Sequence, residues 1–92
     1  AKELAPEDAI ELAIVAAGAR LDMGQADSAV VTIQRAQPNK DATGVAACRL
    51  SYAYGNALLE AGRKDEAKEW FQHASDIDEG DWTDAAERLA EF

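Results

Sequence analysis

The chain has 92 residues, 48% of them apolar, and its 18 acidic and nine basic side chains leave a net charge of −9. That length holds one domain with a single modest core, and the charge disfavours nucleic acid and anionic membrane surfaces while favouring a basic protein partner. A single cysteine, Cys48, excludes an internal disulfide and a cysteine-rich metal site, and fits a reducing, cytoplasmic setting.

In chain order, residues 1–5 form a lead-in. Pro6 suits the first position of a helix, where its missing N–H is not needed, and Glu7 and Asp8 complement the helix N-terminus. This first helix is expected to run to about Met23. Its middle is apolar nearly all the way round: from Ala9 to Ala19 only Glu11 and Gly18 interrupt. Such a helix is either buried between neighbours or meets another chain, and self-association through Ile10, Ile14 and their neighbours is expected. The longest unbroken apolar run, Leu12 to Ala17, is far shorter than the roughly 20 residues of a membrane span. No signal-peptide pattern precedes it. The start at Ala1 suggests a domain excised from a longer protein or a processed product.

A second helix is expected over about 26–37, ended by Pro38 and the polar turn Asn39-Lys40-Asp41. Its one β-like stretch, Val30 to Ile33, is read as helix. A third follows over about 42–61, with Asp41 or Thr43 as cap. Gly62 then supplies the left-handed residue that ends a helix. The fourth runs from about Asp65 to Ile77, with Asp65 and Glu66 in its first turn. Ala67, Trp70, Phe71, Ala74 and Ile77 fall on one face of it. Ala67 and Ala74 permit close approach while Phe71 fills volume, and Gly55 on the third helix has the same use from the other side. After the loop 78–81, Asp81 is expected to cap a short last helix carrying Trp82, Ala85, Ala86, Leu89 and Phe92.

The pattern occurs twice. Gly24, Ala29, Ile33 and Ala36 repeat, 38 residues earlier, the spacing of Gly62, Ala67, Phe71 and Ala74, and Ala17 corresponds to Gly55. The second unit reads Ser51-x2-Tyr54-Gly55-x2-Leu58, then Gly62, then Ala67-x3-Phe71-x2-Ala74. These residues resemble the tetratricopeptide repeat family, whose pattern is W-x2-L-G-x2-Y, a glycine at the turn, then A-x3-F-x2-A. The resemblance covers roughly residues 10–92. The first unit keeps the glycine and the small-large-small triplet, and both units lack the early aromatic residue. The family's usual period is about 34 residues, so 38 implies an extra turn or a longer loop between units. The resemblance implies an all-α fold of about five helices in one domain, 1–92. Two right-handed hairpins (about 6–37 and 42–78) would be followed by a capping helix (about 82–92), since a terminal repeat must shield its core-facing surface.

No residue type or spacing announces a reaction. His73 lacks identifiable triad partners and is expected on the outer side of its helix. Cys48 has no histidine near it. Asp76, Asp78 and Glu87 have the spacing of a calcium loop, but Gly80 and Asp81 stand in swapped places for its turn, which favours a solvated acidic cap. The expectation is therefore no enzyme, no cofactor and no metal. The resemblance implies ligand binding along the first helix of each unit. By register, the groove candidates are Glu11, Ile14, Gly18, Leu21 and Asp22, then Arg49, Tyr52, Asn56, Leu59 and Glu60. Some members of the family grip a C-terminal carboxylate with lysine, asparagine and arginine. Asn56 and Arg49 suit that, but Ile14 and Tyr52 stand where a lysine is wanted. The expected function is protein–protein interaction in a shallow, partly acidic groove, taking a segment with apolar anchors and basic flanks. The rival reading is an oligomerisation module built on the apolar first helix.

Overall fold

The computed structural model describes residues 5–92 and contains five helices: α1 (Pro6–Asp22), α2 (Ala26–Gln34), α3 (Val45–Glu60), α4 (Lys64–Ile77) and α5 (Ala85–Ala90). Among the described residues there is no strand, so Val30 to Ile33 is helical. No described helix is long and apolar enough to cross a membrane. The molecule measures 44 × 31 × 18 Å, and its short dimension leaves room for two layers of helices about 10 Å across. α1 packs on α2 and α3, α2 on α3, α3 on α4, and α4 on α5.

Both glycine turns form, and by the same bonds. Gly24 (φ 73°) and Gly62 (φ 82°) take the left-handed conformation. Gly24 N–H donates to Leu21 O and Gln25 N–H to Arg20 O; Gly62 N–H donates to Leu59 O and Arg63 N–H to Leu58 O. Each is the two-bond closure that satisfies the last carbonyls of a helix. The internal repeat is therefore a repeat of turn geometry as well as of residue type.

The core follows the triplets. Ala29, Ile33, Ala67, Phe71 and Ala74 are fully buried, with Ala17, Val30, Leu50, Tyr54, Ala57 and Leu58 around them. Gly55 lies against the Phe71 ring: a Cβ there would stand 3.1 Å from two ring carbons. Tyr52 meets Phe71 edge-on at 5.4 Å, and Phe92 closes the other side at 5.9 Å. Tyr54 packs at a tilt against Trp70 and accepts a hydrogen bond from Gln34, tying α3 to α2. Cys48, Ala74 and Ala85 form a satellite cluster under α5.

Three expected helix ends move. α2 stops at Gln34, and Gln37 (φ 58°) turns the chain before Pro38. α3 starts at Val45 without a side-chain cap from Asp41 or Thr43. Gly44, at φ 98°, makes the entry instead, a conformation that only glycine adopts cheaply. The Asn39 carboxamide, meanwhile, accepts the Asp41 N–H. Asp81 does not cap α5: it sits at φ 54° inside the loop, and Asp84 precedes the helix without a side-chain cap bond.

The apolar first helix is only partly covered. Ile10 and Ile14, expected to carry self-association, pack on the core. The large apolar residues that face outward are Leu12, Val15 and Met23, each more than half exposed.

Candidate functional site

The groove residues do not form one continuous site, because α5 lies across them. Arg88 donates from Nη1 to the Tyr52 hydroxyl at 3.0 Å and from Nη2 to Asn56 Oδ1 at 3.1 Å. Its guanidinium lies 4.9 Å from the Phe71 ring centre and 5.8 Å from that of Tyr52, within the range of cation–π attraction. Asn56 is thus engaged within the chain. Leu59 lines a small cleft of about 180 Å³ with Lys64, Arg88, Glu91 and Phe92. Leu21 packs on the core, Gly18 points into open space, and Asp22 and Glu60 are exposed.

A larger cleft, about 360 Å³, remains on the other side of Tyr52, lined by Ile14, Arg49, Tyr52, Ala53, Trp82, Thr83 and Asp84. α1 and α3 supply its floor, and the α4–α5 loop supplies the wall with Trp82. Arg49 at its rim is paired with Glu11, its repeat counterpart on α1. Both side chains are close to half exposed, so the pair adds little stability. Four sequence candidates, Glu11, Ile14, Arg49 and Tyr52, therefore come together here. The Tyr52 hydroxyl titrates above its usual range, first through burial and then through the carboxylate of Asp84, against the opposing effect of Arg88. It stays a neutral phenol at physiological pH.

Trp82, Thr83 and Asp84 complete the cleft; neither they nor Arg88, on the other side of Tyr52, were among the groove candidates. One signal for Arg88 was in the sequence: it is the lone base among seven acids between Asp76 and Glu91. Trp82 is 39% exposed. Its indole lies over Gly80, where a Cβ would come within 2.6 Å of Nε1, so Gly80 is what lets the ring fold back to the cleft.

The wall is held by Asp78. Its carboxylate accepts the N–H of Trp82 at 2.7 Å, the N–H of Thr83 at 3.0 Å and the Thr83 hydroxyl at 2.9 Å. Desolvation works against its charge, but these bonds and the Gly80 N–H outweigh it and hold the carboxyl below its usual range. The contribution to stability is complete above the unfolded-state value of about 3.9 and is lost as pH falls through the lower folded value. In an acid titration followed by NMR, the Trp82 and Thr83 amides should move together with a midpoint below about 3.9. A midpoint at or above it contradicts this account of the loop.

The remaining candidates are placed as follows. Asp76 accepts from Gln72 and Asp78 turns both oxygens into its own loop, so the calcium-like spacing does not gather a ligand set. Cys48 is fully buried and directs its thiol to Ala74 O. Burial, then the nearby Asp78 charge, pushes that thiol up, which makes it a poor nucleophile. His73 is not on an outward face: it is half-buried, edge-on to Trp70 at 6.1 Å, with Nε2 shielded and unpartnered among the described residues.

Compared with protein-family models, curated proteins and solved structures, the chain gives no match.

Proposed function

We propose that the chain is a protein-interaction domain of tetratricopeptide-like construction whose cleft beside Tyr52 takes a short partner segment with an apolar anchor and a basic flank. The repeat reading is supported by two glycine turns with the same bonds and by two small-large-small triplets at a period of 38, one fully buried (Ala67, Phe71, Ala74) and one buried at Ala29 and Ile33 with Ala36 half-buried. The long connection at residues 35–44 accounts for the residues beyond the usual period. The observation that carries the binding reading is the cleft of about 360 Å³ with a partly exposed Trp82 on its wall, apolar Ile14 and Ala53 at its base and Asp84 at its edge. An open cleft of this size suits one or two side chains, and exposed aromatic residues are the usual anchors of such contacts. Asp84 at the edge supports the basic flank, because among the described residues no base other than Arg49, already paired with Glu11, lines the cleft.

Affinity should be modest, in the micromolar range or about −8 kcal/mol, because so short a cleft buries little area. The test is a peptide array read at low and physiological salt. Peptides with apolar and lysine- or arginine-flanked centres should be enriched, and salt should slow their association. Trp82→Ala should weaken binding by about tenfold or more with thermal stability near the parent's. Tyr52→Ala is a poorer probe, since that ring also supports Phe71. Enrichment of acidic peptides, or binding unchanged in Trp82→Ala, rejects the cleft.

A further inference from the structure

A second surface lies on the far side of α1, away from the core, and does not depend on the cleft. Leu12, Val15, Ala16, Ala19 and Met23 are all exposed. At 100° per residue they fall within about 60° of Leu12, so they form one continuous stripe. The repeat shows what such a stripe is for. Its counterparts 38 residues on are Leu50, Ala53, Tyr54 and Ala57 on α3 and Ala61 just after its end. Of these Leu50, Tyr54 and Ala57 are buried, and α3 packs on both α1 and α2. On α1 the equivalent face has no helix over it within the described residues.

Charge selects what covers it. Around the stripe, Arg20 falls about 80° to one side of Leu12 and Asp22 about 80° to the other. The two edges near the C-terminal end of α1 thus carry opposite charge, and both side chains are exposed. Two copies related by a two-fold axis along α1 bring the Arg20 edge of each against the Asp22 edge of the other. Seven of the 18 acids lie in residues 76–91, at the α5 end, but Asp8 is exposed and about 40° from Leu12 at the N-terminal end of the face, so the contact is centred on Val15, Ala16 and Ala19, towards the C-terminal half of α1. Next to the stripe, a cleft of about 300 Å³ between α1 and α2, with Val31 and Arg35 among its lining residues, offers room for a side chain from the other copy. We infer that the outer face of α1 is an isologous dimer interface, with a parallel α1–α1 contact at its centre.

Sedimentation equilibrium of the full chain over a wide micromolar range tests it. The expected result is a mass that rises from 9.8 kDa to a plateau at twice that value. Val15→Glu, at a position 70% exposed, should weaken self-association about tenfold or more while leaving the helical circular dichroism and melting midpoint near the parent's. Arg20→Glu and Asp22→Arg should each weaken it alone, and an equimolar mixture of the two should recover dimers, because each subunit then offers the charge that the other lacks. A monomer at all concentrations overturns the proposal, as does a dimer indifferent to Val15→Glu. Mass that grows without a plateau indicates head-to-tail stacking and overturns the two-fold, as does a charge-swapped mixture that stays monomeric.

Discussion

Phe71→Ala should lower the unfolding free energy by about 3–5 kcal/mol, the largest effect of any single substitution considered. Phe71 is fully buried and meets groups from α3, α5 and the C-terminal residue. Gly55 of α3 lies under its ring, Tyr52 meets its edge, Phe92 closes its far side and the Arg88 guanidinium covers it. Truncation removes the transfer energy of the ring and leaves a cavity that rigid helices close only in part. A domain of this length has roughly 5–14 kcal/mol of stability in total, so the variant should unfold far below the parent's midpoint. Ile33, its repeat counterpart, is equally buried, and Ile33→Ala should cost about 2–5 kcal/mol. Thermal unfolding followed by circular dichroism checks both. The Gly55 contact gives a companion result. Gly55→Ala gains about 1 kcal/mol of helix propensity, yet should destabilise, because its new Cβ meets a ring held on every side. A parent-like melt for Phe71→Ala would remove the basis for treating α3 and α4 as one packed unit.

What could be read from the sequence was chemistry that acts within a few residues. Gly24 and Gly62 follow apolar helical runs and must be left-handed there, and the triplets around Ile33 and Phe71 state their own buried face. Those features gave five helices and their order. The misplaced ends were places where a second residue could do the same job: Gly44 replaced Asp41 and Thr43 at the start of α3, and Asp78 organised the loop from which Asp81 was expected to cap α5. Arg88 was missed for a different reason. Its partners Tyr52 and Asn56 lie 36 and 32 residues away, and being the lone base among seven acids marks Arg88 out without saying that it turns inward. That contact divides the expected groove and moves its open part towards Trp82. The orientation of α1 was equally hidden. A helix apolar on all sides gives periodicity no contrast to work with, so Ile14 and Val15 looked alike, and only packing against α2 and α3 sends one inward and the other out.

The second large effect should come from adding atoms at the closest helix contacts. Ala67 and Ala29, at equivalent positions in α4 and α2, are both fully buried. Leucine is nearly as good a helix former as alanine, so replacing either changes little in the isolated helix, and the measured difference reports packing. Three more carbons must be fitted between helices whose separation alanine sets, at about 1–3 kcal/mol for each site. For a domain of this size each kcal/mol lowers the melting midpoint by roughly 4–8 °C. Lys68→Ala is the control: it lies one residue along the same helix, is exposed, and should stay within about 0.5 kcal/mol of the parent. Ala67 and Ala29 sit in different helix pairs, so Ala67→Leu and Ala29→Leu combined should cost about the sum of the two. Additivity of that kind holds for sites without shared partners. A double variant much less stable than the sum would mean that the pairs share strain through α3, the helix that touches both. If Ala67→Leu melts with the parent while Lys68→Ala does not, α4 presents a different face to α3, and the close contact that Gly55 and Phe71 require could not form.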